Sequence, residues 1–269
     1  REPLKTVESK YPVTEKDYSG FRFFTEVKKL EKYTGNLIAR FDIQDENSNK
    51  LFMQALIAGA ENRDYYQAMS LKTKTAGKQY NGKPLPLFTI RTEAEAKSRP
   101  FVVIFEPYQG ETGNSVERIS VEKRSDADVF TALTVFCKDG LKQLILESVD
   151  PTRNFTSGAG SFRGYYGIAG FEGEKLTSLY LGKGTEISHS GYSLQSKTPD
   201  GSASLVIKGN TRVISCEQET EVGLGHLAKK AWLQQGSIRN ELKVSQSVKG
   251  ILVTIPAVEN NATWGGLST

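Results

Sequence analysis

Residues 36–57 read NLIARFDIQDENSNKLFMQALI, and their pattern decides the fold class. Leu37, Ala39, Phe41 and Ile43 fall on one side of an extended chain. Arg40 and Asp42 fall on the other, with Ile38 as the apolar exception. An apolar residue at every second position is the mark of a half-buried strand. The polar run DENSNK that follows has turn composition. LFMQALI then resumes with more continuous apolar character, which predicts a strand set deeper in its sheet. Two such runs around a polar turn predict a β-hairpin.

The same grammar recurs toward the carboxy terminus. PLFTIRTE, FVVIFEPY, SVERISVEKR, VFTALTVFC and LKQLILES follow, separated by turns such as KDG. Then come SFRGYYGIAGFE, KLTSLYLG, SASLVIKG, TRVISCE and GILVTIP. Template matching gives about fifteen strands. Helical periodicity is confined to LGHLAKKAWLQQG, where a strand pair turning near Gln235-Gly236 competes with a helix. The fold class is therefore all-β, with inward sets such as Leu37, Phe41, Val103 and Phe105. A large antiparallel sandwich of supersandwich type is expected first, with a second, smaller β-sandwich or sheet after it. The Gly/Ser/Pro-bearing connector ESVDPTRNFTSGAGS puts the boundary between residues 1–150 and 151–269.

Composition narrows the function. Hydrophobic residues make up 38% and charged residues 25% of the 269, as in a folded soluble domain. The 35 Lys and Arg nearly offset the 31 Asp and Glu, and the signs are interleaved, as in ERISVEKRSDAD. That mixture leaves no basic stripe, so nucleic acid is not an expected partner. No apolar run reaches the roughly 20 residues of a membrane helix. Cys137 and Cys216 lie in alternating apolar stretches and read as buried free thiols.

Catalytic and cofactor signals are weak. No G-x-S-x-G elbow, H-E-x-x-H or C-x-x-C occurs, so neither a metal nor an organic cofactor is expected. Gly182-Lys183-Gly184 lacks phosphate-loop spacing and reads as a hairpin turn. His189 reads as a histidine at a strand end. Glu106, ending an apolar run, calls for a partner, and Arg99 or Arg91 is near in sequence. Two clusters place an arginine beside aromatic rings at strand ends: Arg163 with Tyr165 and Tyr166, and Arg99 with Tyr108. A ring gives the C–H face of a sugar a flat apolar platform, and a guanidinium gives a carboxylate or sulfate two parallel donors. These five residues are the candidate carbohydrate contacts. A competing view is that neighbours in a strand point to opposite sides, so that at most one of Tyr165 and Tyr166 reaches a ligand and the other is core.

The order of segments resembles the C-terminal β-sandwich portion of heparinase II/III-like polysaccharide lyases. The resemblance rests on FRFFTEVKKLEKYTGNLIARFDI, LFMQALIAGAENRDYYQAM and PLPLFTIRTEAEAKSRPFVVIFEPY, and extends to SVERISVEKR and KLTSLYLGKGTEIS. It implies a helical toroid upstream, a uronate-containing polysaccharide as partner, and a periplasmic or extracellular setting. In such lyases a tyrosine and an asparagine of the toroid, helped by a sandwich histidine, remove the uronate C5 proton. No histidine precedes His189 here, so no catalytic residue is carried over and the isolated chain is expected to be inactive. The alternative is a stand-alone carbohydrate-binding or cell-surface interaction module.

Overall fold

The computed structural model describes residues 5–6, 24–44, 50–61, 63–70, 84–92, 101–209, 211–224, 230–235, 238–242, 244–247, 250–255 and 267–268. Among these residues there are 22 strands and no helix, and every pairing is antiparallel. The all-β expectation is met. The chain forms two compact units, Arg1–Glu111 and Thr112–Thr269.

The first unit holds β1 (Lys5–Thr6), β2 (Thr25–Glu31), β3 (Asn36–Gln44), β4 (Lys50–Ala58), β5 (Arg63–Met69), β6 (Pro86–Thr92) and β7 (Val103–Gln109). They make two sheets, ordered β1-β2-β5-β6 and β3-β4-β7. The β3–β4 hairpin runs without a register break from Asn36↔Ala58 to Gln44↔Lys50. Leu37, Ala39 and Phe41 are half-buried, whereas Ile38, Arg40 and Asp42 are exposed, as the alternation predicts. The side chain of Ile43 lies outside the described residues. Strand β4 is the deepest of the three, with Phe52 and Gln54 through Ala58 buried. A cluster of Leu30, Ile57 and Tyr65, joined by Leu37, Phe88, Ile90 and Val103, packs the two sheets together. Tyr65 is fully buried, and its hydroxyl accepts the Ala60 N–H at 2.9 Å.

Phe105 departs from expectation: it is 66% exposed. It shares a side of β7 with Val103, but that cluster contains Val103 and not Phe105. Alternation assigns a side, and burial needs something opposite. Pro107 is tolerated because β7 is an edge strand, where a missing N–H costs no ladder bond.

The second unit begins with β8 (Val116–Val121), β9 (Phe130–Cys137), β10 (Leu141–Ser148), β11 (Phe155–Ser157), β12 (Gly160–Glu172) and β13 (Lys175–His189). It continues with β14 (Tyr192–Ser196), β15 (Gly201–Lys208), β16 (Thr211–Cys216), β17 (Thr220–Leu224), β18 (Lys230–Gln235) and β19 (Ile238–Leu242). It closes with β20 (Val244–Ser247), β21 (Gly250–Ile255) and β22 (Leu267–Ser268). The boundary expected at 150/151 falls inside this unit. Strands β10 and β12 pair directly, from Leu141↔Glu172 to Glu147↔Tyr166, and β11 within the connector also pairs β12, so residues 149–159 lie inside one sheet. Its polar composition serves a loop: Thr152 donates to Asp150 through both its N–H and its hydroxyl. Lys230–Gln235 and Ile238–Leu242 are a strand pair, β18 with β19, and residues 225–229 and 236 of the helix candidate lie outside the described residues.

The long β12–β13 hairpin organises the unit. The amino-terminal part of β13 pairs with β15, from Ser178↔Val206 to Gly184↔Gly201. Its carboxy-terminal part pairs with β14, from Glu186↔Gln195 to His189↔Tyr192. The handover occurs at a bulge, where Arg163↔Glu186 is followed by Gly164↔Gly184. Both branches feed one core: Leu205 and Ile214 lie on one, Leu194, Val222, Val253 and Ile255 on the other. One inward row runs Leu144, Ala169, Leu179, Leu205, Ile214 across the sheet. Each large side chain in such a row contributes about 1.5–3 kcal/mol when fully buried. Cys216 lies in this core and Cys137 is half-buried at the end of β9; both are free thiols.

The Gly182-Lys183-Gly184 segment is therefore not a hairpin turn. β13 runs through it unbroken. A Cβ on Gly184 would lie 2.7 Å from the Arg163 carbonyl oxygen and 2.7 Å from the Gly164 Cα. The glycines serve a close backbone crossing at a bulge, a known use of glycine within strands. Lys183 takes φ of 52°, a left-handed conformation that is uncommon for a residue with a side chain.

Candidate functional site

The β12–β13 bulge gathers the first predicted cluster. Arg163 lies just before it on β12, across from Glu186. Tyr165 and Tyr166 follow, and both are exposed, at 45% and 37%. The competing view, with one of them in the core, is not what the structure has. The register shift at the bulge interrupts the alternation: the buried positions run Phe162 and Gly164, then Gly167, Ala169 and Phe171, so Tyr165 and Tyr166 both fall on the exposed face. A Cβ on Gly167 would meet the Phe162 ring at 2.9 Å, so the core fills this space with the neighbour's ring.

Each tyrosine gains company that the linear sequence did not reveal. Lys183 lies between Gly182 and Gly184, which pair with Tyr166 and Gly164, so it stands across from Tyr165. Arg163 and Lys183 are both exposed, and neither forms an ion pair among the described residues. Further along the same face Tyr166 meets Tyr180 edge-on, with ring centroids 6.2 Å apart and planes at 67°. Glu147 of β10 is directly opposite Tyr166. Burial first, then the charge of Glu147 and the Tyr180 phenol, push the Tyr166 hydroxyl above its ordinary pKa. Only the strand register brings Lys183, Tyr180 and Glu147 to this place, so counting along the sequence missed them.

The second predicted cluster is partly outside view, since Arg99 lies outside the described residues. Tyr108 is half-buried and stacks on Phe52 at 5.4 Å. The arginine beside it is Arg40, whose guanidinium lies 3.9 Å from the Phe52 ring centre and 5.8 Å from that of Tyr108. Arg40 also reaches Asp42 at 3.5 Å. Glu106 accepts a hydrogen bond from the Gln54 side chain at 2.6 Å, directly across the sheet. Arg91, the other expected partner, is on β6 opposite Asp64, in the other sheet.

His189 is engaged in packing. Its ring meets Phe171 edge-on at 4.8 Å, and its Nδ1 is 2.8 Å from the Ser190 hydroxyl. Burial, and secondarily the nearby Lys142 charge, hold its pKa below the ordinary histidine value. Among the described residues no group of three or more His, Cys, Asp and Glu side chains is arranged to hold a metal ion. The depressed pKa has a thermodynamic consequence. Above the unfolded pKa of about 6.5 the ring is neutral in both states and folding is unaffected. As pH falls through that value, the unfolded chain takes up the proton first, so stability drops until the folded pKa is passed. The thermal midpoint should fall between pH 7.5 and about 5. His189→Gln should flatten that interval, and an unchanged slope in the variant would contradict the assignment.

Residues 118–207 match the family described as the endo-acting ulvan lyase C-terminal domain. The match opens on β8, ends on β15 and contains the whole β12–β13 bulge. The chain is also 31% identical over 185 residues to an endo-acting ulvan lyase of Formosa agariphila. That alignment takes in 66% of this chain and 22% of the relative, so the chain spans about a fifth of the length of the protein it resembles. The second unit thus carries a homologue of the ulvan lyase C-terminal domain, and the chain is a β-rich region related to polysaccharide lyases.

Proposed function

We propose that this chain is the non-catalytic β region of a polysaccharide lyase, and that its β12–β13 bulge holds an acidic, uronate-containing polysaccharide. The observation that carries the reading is the pair of exposed cations, Arg163 and Lys183, flanking exposed Tyr165. The bulge turns the strand and sets Lys183 in a strained backbone conformation, of the kind that often accompanies binding surfaces. A fork of donors and a point charge beside a ring match a carboxylate or sulfate on a sugar. The relative's name makes ulvan the first polysaccharide to test. The sequence resemblance further supports a heparinase II/III-like arrangement, in which a helical toroid lies upstream and supplies the catalytic cleft. Work on a polysaccharide outside the cell implies a periplasmic or extracellular setting.

Calorimetric titration with ulvan and with uronate-rich oligosaccharides tests the contact. Binding should weaken steeply with added salt, since the attraction is between exposed charges. Arg163→Ala and Lys183→Ala should each weaken it about threefold to tenfold, or roughly 0.7–1.4 kcal/mol, without changing the melting curve. Equal affinity in a folded Arg163→Ala, Lys183→Ala double variant would remove the site. The same samples test the inactivity. Uronate elimination creates a conjugated double bond that absorbs in the ultraviolet, and the isolated chain should produce no rise with any of these glycans. Abstraction of the C5 proton needs a base within hydrogen-bond reach while the adjacent carboxylate is neutralised. His189, packed on Phe171 and Ser190, is poorly placed for it. A protein-dependent rise abolished by His189→Ala would overturn that part.

A further inference from the structure

We propose that the neighbouring stretch of the same hairpin face is a second sugar contact, in which Tyr166 and Tyr180 form a stacking platform for a neutral pyranose and Glu147 accepts its hydroxyl hydrogen bonds. The inference rests on the reading that this region meets polysaccharide, and adds to it a class of sugar and a second contact.

Both rings are exposed, at 37% and 39%, on a sheet whose opposite face forms the core. Gly182 lies beside them: a Cβ there would stand 2.9 Å from the Tyr180 ring and 3.4 Å from that of Tyr166. The missing side chain lets the rings lean over the strand and offer ring surface instead of standing clear of the sheet. Ile168 pairs with Tyr180 on one side and Ser204 on the other, so the platform has an apolar border and a hydroxyl-bearing one. A pyranose has the matching form, with C–H bonds on one face and hydroxyls around the rim.

Charge selects which pyranose. Glu147 is exposed and directly across from Tyr166, with Thr131 next to it on β9. A carboxylate accepts hydrogen bonds from sugar hydroxyls and repels a uronate or a sulfate. The cations of the bulge stand by Tyr165, on the same exposed face as Tyr166 but at the bulge end of it. One face of the hairpin thereby presents an anion-seeking stretch at the bulge and a neutral-seeking stretch beside Glu147, suited to a polymer that alternates charged and uncharged sugars.

The test uses the 269-residue chain with xylohexaose, cellohexaose and oligogalacturonate, followed by saturation-transfer NMR and calorimetry. Saturation transfer is expected to the C–H protons of a neutral oligosaccharide and should persist at high salt. Tyr180→Ala should weaken neutral-sugar binding by about tenfold or more. Tyr180→Phe keeps the ring and should bind as the parent does, which separates lost stacking from lost fold. Glu147→Gln should weaken neutral-sugar binding severalfold. Absence of transfer to both neutral oligosaccharides, or unaltered binding in folded Tyr180→Ala, overturns the proposal. Loss of acidic binding alone would strike only the bulge site, because its variants and its salt dependence are different.

Discussion

Gly184→Val is expected to leave the second unit unfolded at room temperature. The added Cβ alone would sit 2.7 Å from the Arg163 carbonyl oxygen, 2.7 Å from the Gly164 Cα and 2.8 Å from a Leu181 methyl. Two of these neighbours are backbone in the paired strand and have no rotamer to yield. Relief requires β12 and β13 to part at the point where β13 passes from β15 to β14. Overpacking in a core that can adjust costs about 1–3 kcal/mol. Here the cost should be about 3 kcal/mol or more for alanine and larger for valine, against a total stability of only about 5–15 kcal/mol for a domain. Urea denaturation followed by circular dichroism provides the measure. Gly182→Ala is the control, since its Cβ would meet the Tyr180 ring, which can swing aside. That variant should lose less than about 1 kcal/mol. Equal losses at 182 and 184 would show that the backbone crossing is not what demands glycine.

Phe162→Ala is expected to cost about 3–5 kcal/mol, the range for emptying a large aromatic site in a core. Phe162 is 1% exposed, lies 6.2 Å from the Phe130 ring, and fills the space beneath Gly167. Phe130 in turn stacks on Phe155 at 4.5 Å, so the three rings tie β9, β11 and β12 together. Phe162→Leu should recover more than half of the loss, because a smaller cavity remains. A loss below about 1 kcal/mol for the alanine variant would mean that the site collapses freely and that Phe162 is not an anchor of this core. Both variants should also reduce binding at the bulge, which is only one residue further along the strand.

Period-2 alternation in 36–57 was enough to determine the fold class, the β3–β4 hairpin and the side on which Leu37, Ala39 and Phe41 lie. It succeeds because extended geometry imposes the period locally, whatever the strand pairs with. The same locality explains its failures. Phe105 was given the correct side and the wrong burial, since coverage depends on another sheet. Gly182 and Gly184 were legible as special residues, but the difference between a turn and a bulge lies in Gly164, some twenty residues away in sequence and in contact in space. The boundary placed at 150/151 followed a polar loop, whereas the units are defined by which strands pair across it. Arg163, Tyr165 and Tyr166 were identifiable by residue type alone. Strand register then set Lys183 across from Tyr165, and Tyr180 and Glu147 beside Tyr166. Residue chemistry is written in the chain one position at a time. The company each residue keeps depends on contacts between distant positions, and only the folded sheet determines those.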